Sequence, residues 1–475
     1  MISRTIFRDY DIRGKVPGDL SPEDAVLIAN AFAHKLREEF GGRKCTLAVG
    51  MDVRPTSPEL RDSAVKGILD AGCDALKLGV CPSPLTYFAA HYHKLDGYIM
   101  ITGSHNPPEY NGIKLGSVNT VYHTDAILNL RNDIITLGHR KERFTGTQKS
   151  IDITKDYADW CEEHFRKLQS DISKLSRKPK VVLDAGNGAA SRIAPEVFRR
   201  TGCDVVPLYC EEDGTFPNHH PDPTVDENLA DAVKIMDKED ADFVAAYDGD
   251  ADRIVIALPG GKVIRGDILL GIFARDLLRK EPGSAVVGDV KASDALYDMI
   301  ADCGGRGIMW KSGHSMIKVK MGEEKALLAG ETSAHIFFGD RYFGFDDAVY
   351  ASLRFLEIYV NALSSGEVSD ASGLLEGLTK YVNTPELRLE CGEEEKVEIT
   401  EKLKRVFTDE SFQEWNGIRE VNCVDGIRVR FERGWGLVRP SNTQAVIVFR
   451  FEALDEESLN NYIALFEKEA ERRIV

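Results

Sequence analysis

Along most of this chain, short apolar runs break on Gly-, Ser- or Asp-rich turns and lead into helix-like stretches. TLAVGMDV (46–53) reads as a buried strand before a helix from about Ser57 to Ala71. DALKLGV (74–80) and DGYIMITGS (96–104) repeat the strand signal. So do VVLDAGNGAA (181–190), with IAPEVFRRTG as its helix, then DVVPLYC, DFVAAYDGDADR (242–253), AVVGDVKAS (285–293) and RGIMWKSGHS (306–315). Strands that alternate with helices predict βαβ units and mostly parallel sheets. In such sheets the loops beyond the strand C-termini face ligands.

The last hundred or so residues follow another pattern. PELRLECG, DGIRVRFE, GWGLVRPSN and AVIVFRFEA are short strands separated by turns, with a helix from about Asp455. A smaller α+β domain with an antiparallel sheet is expected there, reached through a linker at 363–378. Polar segments near 140–155 and 168–180 mark the first boundary. The fold class expected is α/β, three similar domains with mixed, mostly parallel sheets plus the C-terminal α+β domain. The expected spans are 1–150, 151–255, 256–375 and 376–475. A chain of 475 residues exceeds what one core can organise.

The net charge of −17 argues against nucleic-acid or anionic-membrane partners, which would be repelled. A small phosphate-bearing ligand needs only a local group of cations. No apolar stretch reaches a membrane span, and MISRTIFRDYDIRGK has no apolar signal core. The nine cysteines lack CxxC spacing, so reduced thiols and a cytoplasmic location are expected.

Against that frame four short segments stand out. Thr102-Gly103-Ser104-His105-Asn106-Pro107, continuing to Lys114, follows an apolar strand, so Ser104 is expected in an exposed loop. Gly, Ser, Asn and Pro also make plain turns. What favours chemistry is the company: a hydroxyl nucleophile needs a proton acceptor and positive charge, which His105 and Lys114 could supply. Asp248-Gly249-Asp250-Ala251-Asp252-Arg253 alternates three carboxylates with small residues directly after FVAAY. Like charges so packed repel unless a cation holds them, and an all-oxygen set suits Mg²⁺. In Gly330-Glu331-Thr332-Ser333-Ala334-His335, Glu331 and Ser333 suit sugar hydroxyls. Asp289-Val290-Lys291 and Lys311-Ser312-Gly313-His314 could bring further cations to that face. Arg439-Pro440-Ser441-Asn442-Thr443 has the arginine, hydroxyls and tight turn of a phosphate nest. Each segment alone is also readable as a turn or helix start. Together, in that order, they describe phosphoryl transfer to and from a sugar phosphate.

At these residues the chain resembles the α-D-phosphohexomutase family, from Phe7-Arg8-Asp9-Tyr10-Asp11-Ile12-Arg13-Gly14 to the Arg439 turn. The resemblance implies a heart-shaped molecule of four domains around a central cleft. It implies Ser104 as the phosphoserine, Mg²⁺ held by Ser104, Asp248, Asp250 and Asp252, and Arg253 against the phosphoserine region. Glu331 and Ser333 would read sugar hydroxyls; Arg439, Ser441, Asn442 and Thr443 would grip the phosphate that is not transferred. Tyr10, Arg13, Lys114, Lys291, His314 and His335 match positions around the cleft. The chain departs from the common pattern at Ala334 and Ala251, where glycine is usual, and in the form of its phosphate turn.

The expected activity is phosphomannomutase/phosphoglucomutase, passing through a hexose 1,6-bisphosphate that also serves as activator, with Lys114 or His105 as general base. Alternatives are phosphoglucosamine mutase, a phosphatase using a metal-loop aspartate, or a non-catalytic phosphosugar-binding protein. Small-molecule hexose phosphates are the expected partners, and the chain is expected to be a monomer or weak homodimer.

Overall fold

The computed structural model describes residues 2–8, 11–119, 122–441, 446–472 and 474, with Glu393 described by its backbone alone. The chain divides into two compact units: residues 1–269 with 333–376, and residues 270–332 with 377–475.

The first unit holds two sheets. In one, the strand Thr46–Met51 lies between Asp74–Val80 and Gly97–Ile101, parallel to both. Tyr110–Ser117 returns antiparallel beside Gly97–Ile101, and Ile12–Lys15 closes that edge. The helix Pro22–Glu39 packs its apolar face on this sheet through Ile28, Phe32 and Leu36. It starts at a reciprocal cap, in which the Asp24 N–H donates to Ser21 Oγ and the Ser21 N–H to Asp24 Oδ2. In the other sheet, Lys180–Asp184 lies between Asp204–Leu208 and Phe243–Tyr247, again parallel to both. In each sheet the loops beyond the C-terminal ends of these parallel strands lie along one edge, the edge that faces ligands in such folds. The serine segment leaves Gly97–Ile101 and the aspartate segment leaves Phe243–Tyr247.

The second sheet does not stop at 255. Ile254–Leu258 pairs antiparallel with Phe243–Tyr247, and Lys262–Ile264 pairs with it in turn. A division at 255 therefore falls inside a strand. Between the polar boundary segments the chain forms two helices, Ile153–His164 and Arg166–Ile172. The first part of the 363–378 linker is the last turn of the helix Ala348–Ser365.

Asp347 caps that helix, accepting from the Tyr350 N–H at 2.9 Å and from the hydroxyls of Tyr342 at 2.6 Å and Tyr157 at 2.9 Å. Burial pushes its carboxyl up to about 6 despite those donors. A carboxyl raised on folding favours the fold below its unfolded value, and that contribution is lost as pH rises through the folded one. Asp347→Asn keeps the cap without the charge. Between about pH 4 and 7 it should therefore gain on the parent by about 2 kcal/mol. Urea unfolding of both proteins at the two ends of that range measures it, and parallel pH profiles would refute it.

In the second unit, Ala285–Asp289 runs parallel to Arg306–Trp310 and Leu328–Gly330. A second, antiparallel sheet contains Val446–Ala453, Gly434–Pro440, Ile427–Arg430 and Glu420–Asn422. Helices Glu393–Phe407 and Glu456–Ala470 cover it through Leu403, Phe407, Leu459 and Phe466. The two parts of this unit are joined by buried polar contacts. Arg428 lies over Trp435 at 3.7 Å and donates to the carbonyls of Val290 and Ala292 and to Asp294. Among the described residues, no helix is long and apolar enough to cross a membrane.

Candidate active site

Ser104 is not exposed. It is 3% accessible, with a left-handed φ of +50° that an L-residue adopts at a cost of about 1–2 kcal/mol. Its N–H donates to Thr102 Oγ1 at 2.8 Å. What covers it is the aspartate loop: a Cβ on Gly249 would lie 2.5 Å from the Ser104 carbonyl oxygen, so glycine is what lets the two loops touch.

The three aspartates are fully buried, and their ligand atoms lie within 4.8 Å of one another. Each has its own partners. Asp248 Oδ1 accepts from the N–H groups of Asp252 and Arg253, while Oδ2 accepts the Ser104 hydroxyl at 3.1 Å. Asp250 Oδ2 accepts from Ser83 Oγ and from Lys114 Nζ at 2.7 Å; Asp252 Oδ2 accepts from Lys114 at 2.5 Å. Asp250 Oδ1 is buried with no hydrogen-bond partner. A converging all-oxygen set with an orphaned carboxylate oxygen fits a hard divalent cation.

Burial, with the charges of Asp252 and Asp250 added, pushes the Asp248 carboxyl well up. For Asp252 burial acts the same way but is outweighed by Lys114, His335 and Arg253, which hold it well down. Lys114 is buried too, yet the two carboxylates raise its ammonium, so it remains a cation. Arg253 foremost, then burial and Arg13, push His105 well below its ordinary value. The ring is therefore neutral, with Nδ1 3.0 Å from Ser104 Oγ. Of the two expected proton acceptors, neutral His105 suits the role, and ion-paired Lys114 suits charge neutralisation.

Ser333 and His335 belong to the same unit. Ser333 Oγ lies 3.2 Å from His335 Nδ1, and Nε2 of that ring lies 3.4 Å from Asp252. Arg13, on Ile12–Lys15, pairs with Asp11. So one unit gathers Ser104, His105, Lys114, Arg13, Arg253, His335 and the three aspartates.

The second unit holds the others. Glu331 accepts from the Gly313 N–H at 2.6 Å, next to His314 at the start of the helix His314–Glu324. Lys291 pairs with Glu386 at 2.8 Å. Arg439 Nε lies 3.1 Å from Asp425, which also accepts from the Ser312 N–H, so one carboxylate ties the arginine to the Lys311–His314 turn. The Ser441 carbonyl accepts from Lys396 at 2.8 Å. Tyr10, Asn442 and Thr443 lie outside the described residues.

Three positions went unread in the sequence. Asp52 and Arg54 follow the strand Thr46–Met51, and Ser83 follows Asp74–Val80. Each sits at a strand C-terminus of the same sheet as Ser104, which was the available signal.

Family models match the chain in four consecutive pieces. They are described as phosphoglucomutase/phosphomannomutase alpha/beta/alpha domains I, II and III, over residues 4–134, 156–261 and 265–379, and the C-terminal domain over 386–469. The phosphomannomutase/phosphoglucomutase of Pseudomonas aeruginosa is 40% identical over 467 residues, covering 97% of this chain and 94% of that one. The phosphoglucomutase of Neisseria meningitidis serogroup A is 39% identical over 453 residues, covering 95% and 94%. A crystal structure of a phosphoglucomutase/phosphomannomutase family protein from Burkholderia thailandensis superposes with a TM-score of 0.88 at 38% identity, covering 99% and 98%. Similarity that spans all four domains and nearly the full length of both chains places this protein in the phosphoglucomutase/phosphomannomutase family.

Proposed function

We propose that this protein interconverts hexose 6-phosphates and hexose 1-phosphates through a phosphoserine at Ser104. The observation that carries the reading is the Ser104 hydroxyl bonded to Asp248 inside a buried cluster of three carboxylates and one lysine. Phosphorylated Ser104 donates its phosphoryl group to the free hydroxyl of the hexose monophosphate, giving a hexose 1,6-bisphosphate. The other phosphate then returns to Ser104, so the O–P bonds made and broken balance over one cycle. Neutral His105 takes the hydroxyl proton. Lys114 and Arg253 offset charge on the transferring group. Mg²⁺ would be held by Asp248, Asp250, Asp252 and an oxygen on Ser104, where it would neutralise the phosphoryl oxygens.

Glu331, Ser333, Lys291 and His314 are proposed to contact the sugar. Arg439, Ser441, Asn442 and Thr443 are proposed to bind the stationary phosphate, with Tyr10 a further contact. The relatives' names include both mannose and glucose mutases. The deciding assay offers mannose 1-phosphate, glucose 1-phosphate and glucosamine 1-phosphate with Mg²⁺ and a trace of glucose 1,6-bisphosphate. Turnover of the first two supports the reading. Net release of phosphate without isomerisation would point to a phosphatase and overturn it.

Ser83 bears on the metal. Its hydroxyl donates to Asp250 Oδ2 and its N–H to the Asp250 main-chain carbonyl at 2.9 Å, holding both the side chain and the backbone of that residue. Groups that orient a ligand typically carry 10–100-fold in metal affinity. Ser83→Ala should weaken Mg²⁺ about tenfold by calorimetry. An unchanged dissociation constant would show that Asp250 is held without it.

A further inference from the structure

We propose that Arg54 is the positioning residue of the phosphoryl-transfer loop, setting the backbone that aims Ser104 at the aspartate cluster. This rests on Ser104 being the residue that carries the phosphoryl group.

The loop after the strand Gly97–Ile101, together with the first residue of Tyr110–Ser117, turns several carbonyls toward one point, and each needs a donor. One side chain supplies four of those donors. Arg54 Nη1 donates to the carbonyls of Pro107 at 2.6 Å and Tyr110 at 3.0 Å, and Nη2 to those of Ser104 at 2.9 Å and Asn106 at 2.5 Å. The remaining donor, Nε, goes to Asp52 Oδ2 at 3.0 Å. All five guanidinium N–H groups are thereby used, in a planar fork that lysine cannot reproduce.

Asp52 completes the frame from the other side. It accepts from the Arg54 N–H, from Ser57 Oγ, and from the Gly103 N–H at 3.1 Å. The residue before Ser104 is held by Asp52 and Ser104 itself by Arg54, which keeps the left-handed φ at Ser104 in place. Space is closed around the pair. A Cβ on Gly103 would lie 2.5 Å from Arg54 Nε, and one on Gly214 would lie 2.5 Å from Arg54 Cα. Phe216 lies 5.1 Å beneath the guanidinium. Arg54 is 1% exposed, so its bonds to the loop are shielded from competing water.

The functional need is specific. Ser104 must bring its free hydroxyl in one half-cycle, and the phosphoryl group it carries in the other, to the same place beside the aspartate cluster. Arg54 touches the carbonyl side of the loop, away from the reacting oxygen, so it acts through Ser104 and not on the substrate.

The test is Arg54→Lys, which keeps the charge opposite Asp52 and loses the fork. We expect kcat to fall about 100-fold, the cost of displacing a reacting group by roughly an ångström. KM should stay within about threefold and the Mg²⁺ dissociation constant should be unchanged. Transfer of labelled phosphate from glucose 1,6-bisphosphate to the enzyme should slow in step with kcat. A parent-like kcat overturns the proposal, and so does a fall in kcat matched by equal loss of folded protein at the assay temperature. Asp52→Asn gives a second, milder reading. It keeps an acceptor for Gly103 but not the carboxylate on Arg54, and should lower kcat about tenfold; an unchanged kcat there also counts against the frame. Failure of the mutase reading is separate, because the parent enzyme would then not isomerise at all.

Discussion

Ser104→Ala is expected to lower hexose phosphate isomerisation by about 10⁴–10⁶-fold, the range seen when a covalent nucleophile is removed. The two neighbouring hydroxyls are engaged elsewhere. Thr102 Oγ1 is occupied by the Ser104 N–H, and Ser83 Oγ is committed to Asp250. The fold should tolerate the change. Alanine bears the same left-handed φ as serine, and the loss comprises hydrogen bonds to Asp248 and His105 worth about 1 kcal/mol each. The variant should therefore melt near the parent while accepting no labelled phosphate from glucose 1,6-bisphosphate. Residual isomerisation above a tenth of the parent rate would remove Ser104 from the chemistry. Normal phosphate release by the variant would favour a metal-loop aspartate as nucleophile instead.

What could be seen in the sequence was whatever is local. Alternating carboxylates in 248–252 repel one another without a cation, so the candidate cation site is visible in five consecutive residues. The strand-to-turn-to-helix rhythm is local too, and it gave the α/β blocks. The roles of Arg54, Ser83 and Lys114 are contacts across large separations: 50 residues from Arg54 to Ser104, 167 from Ser83 to Asp250, and 136 from Lys114 to Asp250. Lys114 was visible as a cation near the serine, but not as the counter-ion of two metal-loop aspartates. Ser104 was expected in an exposed loop because its segment follows an apolar strand; the aspartate loop pressing on it through Gly249 buries it. The hairpin beyond 255 was missed because an antiparallel return reads like the start of another block. The two alanine departures changed meaning as well. Ala251 and Ala334 have φ of +54° and +75°, so glycine at those places relieves backbone strain and the side-chain size is secondary.

Lys114→Met should produce a protein whose stability depends on Mg²⁺. Lys114 Nζ lies between Asp250 Oδ2 and Asp252 Oδ2, with all three side chains almost completely buried. Methionine is of similar length and carries no charge, leaving two carboxylates without their counter-ion in a dry site. Breaking a buried pair in this way costs about 3–5 kcal/mol. In the presence of a chelator the variant should melt well below the parent. A divalent cation on the same carboxylates replaces the lost charge, and binding at 100 times its dissociation constant restores about 2.7 kcal/mol. Mg²⁺ should then raise the melting temperature of the variant by clearly more than that of the parent. The pH dependence has a definite sign. Burial pushes the Asp252 carboxyl up, and Lys114 is foremost among the charges that outweigh it and hold it well down. A carboxyl held down on folding contributes stability above its unfolded value that is lost as pH falls, so the chelated variant should lag the parent most at neutral pH and approach it in acid below about pH 4. Activity should remain low even with Mg²⁺, because the metal replaces the structural charge and not the ammonium proposed to offset charge on the transferring group. Equal Mg²⁺ responses in the two proteins would mean that Lys114 is not the counter-ion of the metal-free cluster. Full activity in the rescued variant would confine the lysine to holding the carboxylates.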